Sequence, residues 1–137
     1  MPLKDRIRKP SRRSARNAEF ERFLEEISHN GPKTIQRCRR LGPRLMLKVE
    51  KELGTFKAGE FMIDFSPEFV RPLLEKHSAK DISFLANWVG AGGAQKLVRK
   101  VGAEIVFRNL NSIPSFLLKY PNLDALVPFL KKQATKR

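Results

Sequence analysis

The sequence predicts a mainly helical, compact domain with one short β-hairpin or strand, on three observations. Apolar residues recur at intervals of three and four over most of the chain, which is the spacing of one buried helix face. Pairs of glycine and proline interrupt this pattern, as expected where one helix ends and the next begins. One segment, residues 60–65, alternates apolar and polar residues in the manner of a half-buried strand.

The front half of the chain holds three predicted helices. The first has an apolar stripe at i, i+3, i+4 and i+7, made by Phe20, Phe23, Leu24 and Ile27. Gly31-Pro32 and Gly42-Pro43 start the next two, because proline is favoured in the first turn of a helix. These two helices are predicted over residues 32–41 and 43–53.

Residues 60–65 form the predicted strand. One face carries Phe61, Ile63 and Phe65, and the other carries Glu60, Met62 and Asp64. Lys57-Ala58-Gly59 is expected to turn a small hairpin from Thr55-Phe56. Ser66-Pro67-Glu68 then starts a further helix, with a serine N-cap, a proline at the first helical position and an acid in the first turn.

The back half of the chain is predicted to be helical. Asp81 is expected to cap one helix, and the run Gly90–Gly93 is expected to connect it tightly to another that continues through Phe107. Ser112 and Asn122 start two shorter helices near the end of the chain. No internal repeat is apparent in the sequence.

The predicted organisation is one domain with a basic extension at each end. Residues 1–17 contain almost no apolar residues, and we expect them to form a disordered basic arm. Residues 18–131 form the single domain, which consists of a front part over 18–77 and a helical extension over 78–131. Residues 132–137 are a basic tail.

Positive charge dominates the chain and is unevenly distributed. Lysine and arginine number 28 against 14 acidic residues, which gives a net charge of +14. Residues 1–17 hold seven basic residues and one acid, and residues 31–48 hold six basic residues and no acid. An excess of this size indicates the kind of partner rather than the fold. The sequence therefore predicts a protein that binds nucleic acid, and non-enzymatic binding is favoured.

The helix pair that overlaps the acid-free stretch resembles a helix-turn-helix. Residues 34–53 contain two short helices around Gly42, and Cys38 is small enough for the two helices to approach closely. Together with the predicted hairpin and the helix after it, residues 18–77 resemble a winged helix-turn-helix domain. The resemblance implies a second helix that contacts DNA and a wing that reaches the flanking backbone, and DNA is favoured over RNA as the partner.

The residues predicted to bind nucleic acid belong to the arm and to three helices. The resemblance places Arg44, Leu45, Leu47, Lys48 and Lys51 on the recognition helix. The helix before it is expected to position phosphates through Arg37, Arg39 and Arg40, with Lys33 as a further candidate. The arm is expected to follow phosphates or enter a minor groove through Arg8, Lys9, Arg12 and Arg13. A smaller phosphate contact is expected in the back half from Lys96, Arg99 and Lys100.

Residues suited to catalysis or metal binding are sparse, and no cofactor or metal is predicted. Cys38 is the only cysteine and is predicted to be buried, while His29 and His77 are expected to complement helix ends. Glu60 and Asp64 share one face of the predicted strand, which leaves a small basic nuclease or toxin domain open as an alternative. An RNA-binding structural protein, associated with a ribosome or ribonucleoprotein, is another.

The expected location follows from the absence of targeting signals. No segment approaches the roughly 18 consecutive apolar residues of a membrane span, and no apolar run follows the N-terminus. We therefore expect a soluble, intracellular protein of the cytoplasm or nucleoid, or of the nucleus or mitochondrion in a eukaryote. The oligomeric state stays open, with a homodimer among the alternatives.

Overall fold

Nine α-helices account for almost all of the chain between residues 12 and 135. The structure is a computed structural model that describes these residues, with side chains from residue 15 onward. The helices are α1 (Arg12–Glu26), α2 (Pro32–Leu41), α3 (Pro43–Leu53), α4 (Thr55–Asp64), α5 (Pro67–Lys76), α6 (Ala79–Val101), α7 (Ala103–Arg108), α8 (Ser115–Lys119) and α9 (Leu123–Thr135). Two 3-10 turns, Ser28–Asn30 and Leu110–Ser112, complete the order. The mainly helical class is therefore confirmed.

The predicted β-hairpin or strand is wrong, because the segment forms α4 and no residue from 12 to 135 lies in a strand. The buried side chains here are spaced at i, i+3, i+4 and i+7, namely Ala58, Phe61, Met62 and Phe65. Ile63, which the alternation assigns to the buried face, is 46% exposed. Phe61 and Phe65 fit both periods, and the burial of Ala58 and Met62 identifies the helix. Without a hairpin the described chain has no wing, so the winged front half is also wrong.

Gly59 does not form the predicted turn but lies inside α4, on its buried side. A Cβ atom added to Gly59 would lie 2.5 Å from Asn30 Nδ2 and 3.1 Å from Ile27 Cγ2. The missing side chain therefore lets α4 approach the segment between α1 and α2 closely. A glycine inside an apolar pattern signals either a turn or such a close approach, and here it is the second.

The helices start at a regular interval, which is a structural repeat that is not apparent in the sequence. Each start follows a cap residue, which we define as the non-helical residue directly before a helix. Gly90 is included because it is non-helical and divides α6 into two segments. From α2 to α8 the cap residues are Gly31, Gly42, Gly54, Ser66, Ser78, Gly90, Gly102 and Pro114. The first interval is eleven residues and every later one is twelve. The repeat is hidden in the sequence because the cap varies among glycine, serine and proline.

The caps use two backbone conformations. The five glycine caps have φ between 83° and 102° with ψ between 138° and 164°, a region that is nearly exclusive to glycine. Ser66 and Ser78 have φ of −77° and −79°, and each hydroxyl accepts a backbone N–H three residues on. The predicted cap at Ser66 is confirmed, whereas Ser78 rather than Asp81 caps α6. Gly90 interrupts α6, as predicted for a tight connection, although the next break comes at Gly102 and not after Phe107.

Each repeat buries one side and exposes the other. We call the fourth residue after a cap the inward position. From α3 to α7 these residues are at most 1% exposed, and they are Met46, Ala58, Val70, Ile82, Ala94 and Val106. We call the second, sixth and ninth residues after a cap the outward positions, since their i, i+4, i+7 spacing places them on the opposite side of the helix. From α4 to α7 every residue at an outward position is exposed.

The chain divides into two compact units, Met1–Ile63 and Asp64–Arg137, which we call unit 1 and unit 2. The sequence predicts one domain over residues 18–131 whose two parts meet after residue 77, whereas the contacts group residues around a boundary near the end of α4. In unit 1, α3 packs against α1 and α2. In unit 2, α6 packs against α5, α7 and α9.

Both basic extensions are partly helical. Residues 12–17 of the predicted disordered arm belong to α1, and residues 132–135 of the predicted tail belong to α9. An exposed helical turn needs no apolar side chain, and alanine and arginine favour helix strongly, so the lack of apolar residues did not imply disorder here. Residues 1–11 lie outside the described residues.

Candidate nucleic-acid interface

The outward positions of α2 and α3 are all basic. On α2 they hold Lys33, Arg37 and Arg40, and on α3 they hold Arg44, Lys48 and Lys51. Four of the six side chains are exposed, and Arg37 and Lys48 are half-buried. The same three places in two consecutive repeats therefore present six cations. We call these two surfaces the α2 basic face and the α3 basic face.

Local sequence explains why these residues point outward. Gly31 and Gly42 each precede a proline at the first helical position, which fixes where both helices begin. Cys38, Met46 and Val49, each 0% exposed, then hold the opposite sides of the helices in the core. Because the start and the buried side are both fixed, the basic residues face away from the core.

Glu50 of α3 is directed away from the α3 basic face. Glu50 is only 14% exposed at its side chain and lies 3.4 Å from Arg22 Nη2 on α1. Its other carboxylate oxygen accepts a 2.7 Å hydrogen bond from the Thr55 hydroxyl. Glu50 thus links α1, α3 and the start of α4, and its charge is compensated inside unit 1.

Arg37 is held against the end of α4. Its guanidinium donates hydrogen bonds to the backbone carbonyls of Met62, at 3.1 Å, and Ile63, at 2.7 Å. Carbonyls in the last turn of a helix have no partner within the helix, and a cation there also complements the helix dipole. Arg37 therefore has a structural role that its predicted role as a phosphate contact did not include.

Arg39 is paired with Glu21 across α1 and α2. Its two Nη atoms lie 2.9 Å and 3.1 Å from the two carboxylate oxygens, which makes the pair bidentate. The hydrogen bond from Arg39 lowers the pKa of Glu21 and raises that of Arg39. Arg39 is not at an outward position, and its charge is compensated by a carboxylate. The structure therefore separates Arg39 from the other predicted residues of α2.

The remaining predicted residues lie elsewhere or outside the described side chains. Lys96, Arg99 and Lys100 share one exposed side of α6 in unit 2, whereas α2 and α3 belong to unit 1. Lys96 and Lys100 border an open cavity of about 220 Å³, together with Asp124 of α9. Arg12 and Arg13 fall in the first turn of α1, but their side chains are not among those described, and Arg8 and Lys9 precede the described residues.

The cysteine and the two carboxylates that sequence analysis considered for catalysis or metal binding lie in α2 and α4. Cys38 is buried as predicted, and this burial raises the pKa of its thiol to about 12. Glu60 and Asp64 lie one turn apart on α4 and not on a strand. Among the residues that the structure describes, no three His, Cys, Asp or Glu side chains come together as a metal site.

Two exposed apolar residues beside the α2 basic face were missed by sequence reasoning. Phe56 is 65% exposed and Ile63 is 46% exposed, and both occupy outward positions of α4. The strand prediction placed Ile63 in the core and Phe56 in a hairpin. The twelve-residue interval between caps, which the structure reveals, assigns both residues outward.

Comparisons with protein-family models, curated proteins and solved structures found no match for this chain. No helix in the described part of the chain has the length and apolar character needed to cross a membrane. Inferences about function therefore depend on the geometry and charge of the chain itself.

Proposed function

We propose that the chain binds nucleic acid through the α2 and α3 basic faces. The observation that carries this proposal is that all six outward positions of two consecutive repeats hold lysine or arginine. A random excess of basic residues would be spread over all exposed positions. Here the nearby acids Glu21 and Glu50 are engaged by Arg39 and Arg22 on other sides of the helices.

The spacing of the cations suits a phosphate backbone. A helix rises about 1.5 Å per residue, so the three outward residues of one helix span about 10 Å. A DNA strand carries one charge per about 3.4 Å of axis, so this length corresponds to about three phosphates. Contacts of this kind position a nucleic acid without reading its sequence.

The choice between DNA and RNA is left to the experiment. The sequence-based preference for DNA rested on a recognition helix and a wing, and the wing is not part of the described fold. Backbone recognition by charge is common to DNA and RNA, so an RNA-binding structural protein falls under the same proposal. The basic arm, with Arg8 and Lys9, would add contacts to whichever nucleic acid binds.

The test is salt-dependent binding of labelled oligonucleotides, measured by fluorescence anisotropy on the full chain. The main variant is Arg44→Gln/Lys48→Gln/Lys51→Gln, which neutralises the α3 basic face. Its matched control, Lys76→Gln/Lys80→Gln/Lys131→Gln, removes the same number of positive charges from exposed positions of unit 2. Circular dichroism of each variant checks that the helices persist.

For the unaltered chain, log K should fall linearly with log salt, by about 0.9 per duplex phosphate or about 0.7 per single-strand phosphate neutralised. In the α3 variant this slope should correspond to about two to three fewer neutralised phosphates, whereas the control variant should leave the slope nearly unchanged. Absence of binding at low salt would contradict the proposal. Equal losses of slope in both variants would also contradict it, because net charge alone would then explain the binding.

A further inference from the structure

We infer that the nucleic acid bound at the α2 basic face is single-stranded, and that one of its unpaired bases stacks on Phe56. This inference rests on the proposed function and adds the class of ligand. It begins with the arrangement of α4 beside α2 in unit 1. There the structure places exposed apolar side chains next to exposed cations.

Three contacts place the start of α4 beside the Ser28–Asn30 turn that precedes α2, and the end of α4 beside Arg37 of α2. At the start of α4, the Phe56 ring lies 6.0 Å from the His29 ring, just before α2. One turn later, Gly59 abuts Asn30. At the end of α4, the carbonyls of Met62 and Ile63 accept hydrogen bonds from Arg37 in the second turn of α2.

This arrangement brings the two exposed apolar residues of α4 towards the two ends of α2. Phe56 lies at the end of α2 where Lys33 is found, and Ile63 lies near Arg37 and therefore towards Arg40. The core does not require either apolar residue, because Ala58, Phe61 and Met62 already fill the buried side of α4. The α2 basic face is thus bordered by apolar side chains at both ends.

Phe56 has the features of a stacking platform. Its ring is 65% exposed, while the tilted His29 ring on one side, at 52°, restricts its orientation. Lys57, the next residue in the chain, and Lys33, in the first turn of α2, are both exposed and can hold the phosphates on either side of a stacked base. Aromatic rings beside cations are the recurring means of binding single strands, because every base has a face that can stack.

A duplex would not use this surface in the same way. Its bases are already stacked on each other, so contact with Phe56 would require that a base first leave the stack. Glu60, the remaining outward residue of α4, is an exposed carboxylate between Phe56 and Ile63. It would repel a second phosphate strand lying across α4, whereas one strand following α2 avoids it.

The experiment compares a thymine homopolymer, a uracil homopolymer and a mixed-sequence duplex of equal length, by anisotropy at one low salt concentration. The variants of the full chain are Phe56→Ala and Phe56→Leu, and the matched control is Phe116→Ala, which removes a ring of 66% exposure from unit 2. A fluorescent adenine analogue placed within the strand reports stacking by quenching. Thermal unfolding of each variant confirms that the fold is retained.

Single strands should bind more tightly than the duplex. Phe56→Ala should weaken single-strand binding by about tenfold and leave duplex binding unchanged. Phe56→Leu should behave like Phe56→Ala, since it keeps apolar bulk but lacks a ring, and Phe116→Ala should have no effect. Quenching of the adenine analogue should disappear in both Phe56 variants.

Two outcomes would overturn the inference while leaving the proposed function in place. One is equal affinity for single strands and duplex with no effect of Phe56→Ala. The other is full rescue by Phe56→Leu, which would show an apolar contact rather than stacking. Failure of the unaltered chain to bind any of the three nucleic acids would instead remove the proposed function itself.

Discussion

Helix α3 in unit 1 and the first half of α6 in unit 2 are built on the same plan but present different surfaces. Both begin after a cap residue, Gly42 and Ser78, and both bury the residues at the fourth and seventh places after it. These residues are Met46 and Val49 in α3, and Ile82 and Leu85 in α6, none of them more than 1% exposed. At the outward positions, α3 has an arginine and two lysines, whereas α6 has Lys80, Phe84 and Asn87.

The comparison separates what holds the repeat together from what each repeat displays. The inward positions accept only apolar residues, because each is enclosed by neighbouring helices and leaves no route for a polar group to reach water. The outward positions of α3 and α6 hold residues as different as arginine, phenylalanine and asparagine, whereas Arg37 of α2 is an outward residue that the fold uses to hold the end of α4. A function can therefore be assigned to one repeat by its outward residues alone, without any change to its core.

The largest effect is expected at the inward positions. Met46→Ala in α3 and Ile82→Ala in α6 should each lower the free energy of unfolding by about 2–5 kcal/mol, through lost burial and the cavity left behind. Lys51→Ala and Asn87→Ala, at outward positions of the same helices, should each change it by less than about 0.5 kcal/mol. Chemical denaturation measures all four. An outward substitution as costly as an inward one would show that the two sides are not distinct.

A smaller effect is expected at the caps, where the two helices differ. Gly42→Ala should cost about 1–3 kcal/mol, because φ of 99° with ψ of 161° is strained for alanine although no atom lies within 4 Å of the new Cβ. Ser78→Ala should cost about 1 kcal/mol through loss of the hydrogen bond from the Asp81 N–H, and Ser78→Gly only a few tenths.

The control for the caps is Gly92→Ala in the second half of α6. Gly92 is helical, and an added Cβ there has no neighbour within 4 Å. This substitution should therefore stabilise the chain by up to about 1 kcal/mol, the ordinary preference of a helix for alanine over glycine. If Gly42→Ala were also stabilising, the cap would not have the positive φ described.

The smallest effect concerns the pairing of Glu21 with Arg39 in unit 1. Arg39→Ala should raise the pKa of Glu21 towards its ordinary value, because the hydrogen bond from Arg39 is the main cause of its lowering. NMR titration of the side-chain carboxyl carbon measures this change. Lys33→Ala, on another side of α2, should leave the pKa of Glu21 where it is.

The Glu21–Arg39 pair also makes the free energy of unfolding depend on pH. Because the pKa of Glu21 is lowered in the folded chain, its stabilising contribution is present above the pKa of the unfolded state and is lost as pH falls through the folded value. The contribution is small, since Glu21 and Arg39 are exposed and water screens the pair. In Arg39→Ala this part of the acid dependence should be absent.

Much of the helical fold could be predicted because its signals are local. Gly31-Pro32, Gly42-Pro43 and Ser66-Pro67 mark helix starts within two residues, and the structure confirms all three. The burial of Cys38 follows from an apolar spacing within one helix. Asn122 was also identified as a helix start from sequence, and its side chain accepts the N–H of Asp124.

Other features could not be predicted because they depend on distant partners. Arg37 and Met62 are 25 residues apart, and Arg39 and Glu21 are 18 apart. Nothing in the flanking sequence distinguishes these arginines from Arg40 or Arg44. The candidate site predicted from charge therefore grouped Arg37 and Arg39 with arginines of other surroundings. Only the packing of α2 against α1 and α4 shows that Arg39 pairs with Glu21 and that Arg37 binds the end of α4.

The sequence by itself determined a basic, helical chain with an acid-free stretch over residues 31–48, because composition and short-range periodicity are written directly in it. Tertiary structure alone decided that residues 55–64 are a helix, since Phe61 and Phe65 satisfy the periods of both strand and helix until Ala58 and Met62 are seen to be buried. It also decided that Phe56 and Ile63 lie beside the α2 basic face. The physical reason is that a residue's side of a helix is set by its neighbours in space, and these come from α1 and α2.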